Sequence, residues 1–259
     1  MTLESASTIG VLGGMGPQAG VDLVDKITAE TRARRDQDHL PVILLSLPQI
    51  PDRTAWLADQ SAPDPAPAIV EGFLRLEAAG AGVAAMACNT AHTPALFDRV
   101  SQRLCDAGAS IRVLNLIEET VDGIARAHPS ARRIGVLGTY GTLSSGTYHA
   151  RLKAHGFDVV SPSNLHRLTD AIFHPETGIK ANADHIPDAT RTDVRDAIAD
   201  LGVMGADVVI LGCTELPIAV RESEVDGISV VDPGRMLARA LIRTIDEKKL
   251  AADGLKSES

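Results

Sequence analysis

Cys88 and Cys213 occupy corresponding points of two similar stretches, 125 residues apart. The first reads Ala-Gly-Ala-Gly-Val-Ala-Ala-Met-Ala-Cys-Asn-Thr and ends at Thr90. The second reads Met-Gly-Ala-Asp-Val-Val-Ile-Leu-Gly-Cys-Thr-Glu and ends at Glu215. Each cysteine closes an apolar run and precedes small polar residues, Asn89-Thr90 and Thr214-Glu215. Where a strand ends, backbone N–H groups come free, and such groups stabilise a thiolate against its ordinary pKa of about 8.5. A thiolate is a base and a nucleophile, and a thiol returns a proton, so the pair suits acid–base or covalent chemistry. Metal binding fits less well: the chain has no Cys-x-x-Cys, and His92 alone adds a poor ligand set. The third cysteine, Cys105, falls inside a helical pattern and reads as buried filler.

Other residues carry weaker signals. Arg53 follows Pro48 and Pro51 on a segment that the prolines keep out of regular structure. It reads either as a surface arginine or as a bidentate carboxylate clamp. Lys180 lies in the loop-like run from His174 to Ala183, and its residue type alone leaves surface and substrate roles open. His92, four residues after Cys88, suits the start of a helix, where a structural hydrogen bond and a chemical role are equally open. His174 and Glu176 read as polar loop residues. Gly14-Met15-Gly16-Pro17-Gln18-Ala19 matches the G-x-G-x-x-A pattern of dinucleotide sites. The acidic ribose ligand is missing, however, because the next strand ends at Ser46-Leu47-Pro48. Small residues at a helix start equally suit a carboxylate, and Gly138-Thr139-Tyr140-Gly141-Thr142 offers a similar turn.

These residues need a scaffold, and the sequence provides an alternating one. Strands are expected at 7–12, 41–46, 82–87, 111–114, 134–137, 157–160, 208–211 and 228–231. Helices are expected at about 17–35 and at 68–79, 94–107, 116–127, 148–154, 164–173, 188–201 and 236–245, followed by a frayed tail. The apolar run 41–46 suggests a strand covered on both faces. Ile9-Gly10-Val11-Leu12-Gly13 returns as Ile134-Gly135-Val136-Leu137-Gly138, again offset by 125. The expected fold is therefore α/β, with two Rossmann-like domains on parallel sheets related by pseudo-twofold symmetry. The boundaries are residues 1–115 with 233–259 for one domain and 116–232 for the other, and the active site is expected in a cleft between them. In parallel sheets ligands bind beyond the carboxyl ends of strands, where both cysteines and both glycine turns fall.

The chain has 259 residues, 44% of them hydrophobic, a net charge of −9 and a pI of about 5.3. The acidic balance argues against a nucleic-acid partner. The polar start and the lack of an apolar run of about 18 residues argue against export and membrane insertion. Three cysteines form no even disulfide framework, which suits a cytoplasmic protein with free thiols.

Taken together, Ile9 to Pro17, Ile50-Pro51-Asp52-Arg53-Thr54, Ala87-Cys88-Asn89-Thr90-Ala91-His92 and Leu211-Gly212-Cys213-Thr214-Glu215 resemble the aspartate/glutamate racemase family, and within it the aspartate racemase branch. The resemblance spans nearly the whole chain; Ala87 stands where proline is common. It implies Cys88 and Cys213 as the two acid/base residues. Met15, Gly16, Asn89, Thr90, Thr139 and Thr214 are implied around the substrate's α-carboxylate and amino group. Arg53 and Lys180 are implied as holders of carboxylates, and Asp52, Glu215 and His92 as supporting residues. The family needs neither pyridoxal phosphate nor metal, and its members are often homodimers. The implied activity is interconversion of L- and D-aspartate, or a closely related acidic amino acid, by proton transfer between two cysteines. A broad-specificity racemase, or an isomerase or decarboxylase of maleate, hydantoin or arylmalonate type, is the alternative within the superfamily. A nucleotide-dependent oxidoreductase and a non-catalytic amino-acid-binding module are the alternatives outside it.

Overall fold

A computed structural model describes residues 8–162 and 165–252. The chain forms two compact units, Met1–Leu116 with Gly234–Ser259, and Ile117–Pro233. The expectations for Ser7, for the helix start at Asn164 and for the tail beyond 252 lie outside the described residues.

The first unit runs β1 (Ile9–Gly13), α1 (Pro17–Glu30), β2 (Val42–Ser46), α2 (Arg53–Ala58), α3 (Ala66–Ala78), β3 (Val83–Met86), α4 (Pro94–Asp106) and β4 (Arg112–Val113). Its strands lie in the order β2-β1-β3-β4, all pairs parallel. β1 and β3 are buried at every residue, as continuous apolar runs in a parallel sheet should be. Ile69, Phe73 and Leu76 of α3 and Leu96, Val100 and Leu104 of α4 pack with Leu12 and Met86 in one core.

The second unit contains α5 (Leu116–Ala127), β5 (Arg133–Gly138), α6 (Tyr140–Ser144), α7 (Thr147–Ala154), β6 (Asp158–Val160), α8 (Leu165–Phe173), α9 (Asp188–Val203), β7 (Val208–Gly212), α10 (Leu216–Ala219), β8 (Glu224–Val225) and β9 (Ile228–Val231). The sheet order is β6-β5-β7-β9-β8, parallel except for the β8–β9 pair. The α/β class with parallel-dominated sheets is as the alternation of patterns implies. Among the described residues no helix is long and apolar enough to cross a membrane.

Three local readings change. β2 is an edge strand, and Leu44 is 36% exposed; Ile43 and Leu45 pack on the core beneath α3, but no residue of the strand is fully buried. Cys105 is exposed rather than buried. It sits one residue past Leu104, about 100° around the helix from the buried stripe. The segment after Pro51 turns helical, because Asp52 Oδ1 accepts from the backbone N–H groups of Thr54 and Ala55 and caps α2.

Both units have a switch point, the place where the chain, having added one strand on one side of its first strand, adds the next on the other. In the first unit it lies between the carboxyl ends of β1 and β3. In the second it lies between those of β5 and β7. Open α/β sheets bind ligands at such points, where the connections leave a crevice. Cys88 follows β3 and Cys213 follows β7, so each thiol stands at the switch point of its own unit.

The last helix, α11 (Pro233–Asp246), belongs to the first unit. Arg235 Nε donates to Glu30 Oε1 at 2.6 Å, and Arg239 Nη1 to Glu30 Oε2 at 2.5 Å. The chain then runs back along the end of α1, with Ala251 N donating to the Glu30 carbonyl at 2.8 Å. Glu30 and Arg239 are buried, and removing one partner of a buried pair leaves an uncompensated charge. Glu30→Ala is expected to cost about 3 kcal/mol in chemical denaturation. A loss no larger than that of an exposed ion pair would show that the clamp contributes little.

Candidate active site

In the first unit the Cys88 site is built from backbone. Leu12 pairs with Met86, and Ala87 N donates to the Leu12 carbonyl at 3.3 Å. Cys88 therefore emerges beside the Gly13–Gly16 turn. Gly14 has φ +97°, and a Cβ there would stand 2.3 Å from the backbone of Leu47, so the turn admits only glycine. Cys88, Asn89 and Thr90 are buried. His92 closes the 3-10 turn Thr90–His92 rather than opening a helix. Its Nδ1 lies 2.8 Å from the Cys88 carbonyl, and its ring stacks on Phe97 with centroids 5.2 Å apart.

Burial pushes the His92 pKa down to about 4, only partly offset by the carbonyls of Cys88 and Leu114. The ring is then neutral at working pH, and its Nδ1–H donates to the carbonyl of Cys88. His92 thus holds the Cys88 backbone and carries no charge to the thiol.

Arg53 opens α2. Its Nη1 donates to the carbonyls of Pro51 and Ile50 at 3.1 and 3.4 Å, and its Nη2 to that of Met15 at 3.2 Å. A guanidinium has five N–H donors, so one Nη2 hydrogen and the buried Nε–H are left for a ligand. The structure thus joins Arg53 to Met15, two of the expected site residues, through a carbonyl. Asp52 points its Oδ1 at the α2 N-terminus, which orients Arg53.

In the second unit Gly138 pairs with Gly212, so Thr139 and Cys213 are the next residues on two neighbouring strands. A Cβ on Gly212 would lie 2.6 Å from the Leu137 carbonyl and 3.4 Å from the Tyr148 ring; glycine allows this close approach. Thr139 is buried and caps α6, its Oγ1 accepting from Thr142 N at 3.3 Å.

Charge is concentrated beyond β7. The Cys213 thiol donates to Glu215 Oε2 at 3.0 Å, Thr214 Oγ1 donates to the same oxygen at 3.3 Å, and Lys180 Nζ lies 2.5 Å from Oε1. The Glu215 side chain is 5% exposed and that of Lys180 is 28% exposed. Phe173, at the end of α8, places its ring centroid 5.5 Å from Nζ. Burial pushes the Glu215 carboxyl up, but the Lys180 charge and the hydrogen bonds from Cys213 and Lys180 outweigh it and hold the group below its ordinary range. Burial pushes the Cys213 thiol well up, and the Glu215 charge adds to that, against a smaller opposing effect of Lys180. The expected strand-end stabilisation of a thiolate does not prevail at Cys213. A desolvated sulfur beside a carboxylate keeps its proton, so Cys213 rests as an acid.

Lys180 and Glu215 are 35 residues apart, and only the fold brings them together. Phe173 and Tyr148 escaped the sequence reading, since a lone aromatic in a helical pattern carries no sign of function. Among the described residues no group of three or more His, Cys, Asp or Glu is placed to hold a metal ion.

Comparison with known proteins gives a consistent result. Residues 12–241 match the family model described as Asp/Glu/Hydantoin racemase. A broad-specificity amino-acid racemase from Bacillus subtilis (strain 168) is 28% identical over 246 residues, covering 91% of this chain and 97% of the relative. Among solved structures, Picrophilus torridus aspartate racemase is similar with a TM-score of 0.77 and 30% identity, over 92% of this chain and 94% of that one. An aspartate racemase homologue from Pyrococcus horikoshii OT3 is similar with a TM-score of 0.70 and 25% identity, over 93% and 100% of the two chains.

The buried histidine has a pH consequence. Its pKa is about 4 in the folded chain and 6.5 when free, so the unfolded chain binds the proton first as pH falls. The stability tied to a neutral His92 is complete above pH 6.5 and lost as pH drops to about 4, on the order of 3 kcal/mol. His92→Gln, which keeps a donor without the titration, is expected to flatten that part of the stability curve. An unchanged pH slope in His92→Gln would show that other groups set it.

Proposed function

We propose, since this chain belongs to the Asp/Glu/hydantoin racemase family, that it interconverts L- and D-aspartate or a closely related acidic amino acid. The protein is an amino-acid racemase; the acidic substrate is the part proposed. The observation that carries it is the cation stationed beside a reacting thiol: Lys180 on Glu215, with Glu215 on the Cys213 sulfur. A side-chain carboxylate has in Lys180 a partner that is 28% exposed, and in Arg53 the remaining Nη2 hydrogen. The similarity to the Picrophilus torridus aspartate racemase supports the same reading.

Racemisation removes the α-proton from one face of the α-carbon and returns a proton to the other. Two groups do this without turning the substrate over, and in this reading they are Cys88 and Cys213. One starts as thiolate and the other as thiol, and each turnover exchanges the two states. The carbanion needs donors aimed at its developing charge. Asn89, Thr90, Thr139, Thr214 and the Met15–Gly16 turn are the groups assigned to the α-carboxylate and amino group. The chemistry needs no cofactor. The reading takes the enzyme as a cytoplasmic homodimer acting on a free amino acid, with neither nucleic acid nor membrane as partner.

A second reading is racemisation of a broad set of amino acids. It is favoured by the Bacillus subtilis relative and by Phe173, which is 44% exposed beside Lys180 and offers an apolar wall to an uncharged side chain.

Single enantiomers of aspartate, glutamate, alanine and methionine, incubated with the protein in deuterated water, separate the two. Aspartate is expected to gain α-deuterium and racemise fastest; comparable rates for all four select the broad reading. Cys88→Ala and Cys213→Ala are each expected to lower racemisation about 10³-fold in both directions, while leaving α-exchange of one enantiomer by the surviving thiol. Near-normal racemisation by either variant ends the two-cysteine mechanism.

A further inference from the structure

Cys213 rests as a thiol, yet one direction of the proposed reaction needs it as a thiolate. Something must take its proton. The thiol donates to one atom, Glu215 Oε2, at 3.0 Å, and Glu215 holds the opposite oxygen against Lys180 at 2.5 Å. Of the two side chains that donate to Oε2, the Thr214 hydroxyl is far too weak an acid to give up its proton, whereas a thiol is acidic enough. The carboxylate of Glu215, with a side chain 5% exposed, keeps its charge because Lys180 compensates it.

Lys180 is the exchangeable member of this chain. It lies on the loop after α8 and is 28% exposed. A lysine ammonium is a point charge on a flexible stem, with three donors that turn to meet a new acceptor. The Phe173 ring, 5.5 Å from Nζ, holds the cation through its π face as well. A second carboxylate arriving here competes with Glu215 for one ammonium.

We propose that Glu215 accepts the Cys213 proton, and that a substrate's side-chain carboxylate triggers the transfer by drawing Lys180 away from Glu215. This rests on the reading of an acidic amino-acid substrate. In the step the S–H bond of Cys213 breaks and an O–H bond forms on Glu215 Oε2. The negative charge moves from carboxylate to sulfur, and no electrons leave or enter. When the product leaves with its carboxylate, Lys180 returns to Glu215 and the proton goes back to sulfur. Tyr148 on α7 interacts with both Cys213 and Asp232. Burial pushes its phenol pKa up, against a hydrogen bond with Thr120, so it stays neutral and does not compete for the proton. The ion pair thus makes the base available chiefly when a dicarboxylate is bound.

The test uses a full-length Cys88→Ala/Cys105→Ala protein, in which Cys213 is the remaining thiol of three. Its thiolate absorbance in the ultraviolet is read with saturating aspartate or alanine, and binding is followed by calorimetry. Aspartate is expected to raise the thiolate fraction about tenfold, in the range of coupling between two linked sites, and alanine is not. Glu215→Gln in that protein is expected to bind aspartate without the rise, because an amide cannot take the proton. Lys180→Met is expected to lose the difference between the two amino acids. A rise that persists in Glu215→Gln, or one of equal size with alanine, overturns the relay. Failure of aspartate to bind at all overturns the acidic-substrate reading first, and the relay with it.

Discussion

A carboxylate as buried as Glu215 keeps its charge only if its surroundings replace the water it has lost. That requirement organises the second unit's site. The thiol of Cys213 and the hydroxyl of Thr214 turn toward one oxygen, and Lys180 comes to the other. The loop carrying Lys180 is thereby tied to the end of β7. Burial, and after it the same carboxylate charge, holds the proton on Cys213, so Glu215 contributes both to the shape of the site and to its resting protonation state.

The repeat gives each thiol the same kind of backbone frame: a buried parallel strand, a glycine turn on the neighbouring strand and a crevice at the switch point. It does not give them the same chemistry. Around Cys88 the supports are neutral or backbone-directed. His92 is held uncharged by burial and donates to a carbonyl, and Arg53 binds three carbonyls. Around Cys213 the support is a buried charge. A reaction whose two faces mirror each other needs equivalent positions for the two bases, while a substrate with one distinctive side chain needs unequal surroundings. In the proposed two-cysteine reaction the repeat supplies the first, and residues outside it supply the second.

This division explains what could be read from the chain. The buried strands β1, β3, β5 and β7 were legible because parallel strands in a covered sheet are continuous apolar runs. The polar residues after Cys88 and Cys213 marked where those runs stop. The resemblance then assigned roles that chemistry alone left open, as for Lys180. What stayed hidden depends on long-range placement. β2 has the same apolar pattern as β1, but an edge position cannot be read from one strand. Helix α2 follows two prolines and is short, and its cap, Asp52, looked like a loop residue. Cys105 differs from Leu104 only by the rotation of one helical step. The Lys180–Glu215 pair spans 35 residues of sequence and has no local signature.

Two buried carboxylates in this chain show why the cation's identity matters. Glu30 is held by Arg235 and Arg239, whose guanidinium groups fix a carboxylate with directed donors. Arg239 is itself buried. The pair ties α1 to α11. Glu215 is held by a lysine that reaches it from a part-exposed loop. A buried ion pair is weak evidence for stability, since an apolar pair of similar volume is often as stable. Where the cation is arginine and enclosed, its use is to fix two elements. Where it is lysine, part-exposed and one carboxylate away from a thiol, the same physics suits the proposed exchange, in which the released charge falls on the sulfur.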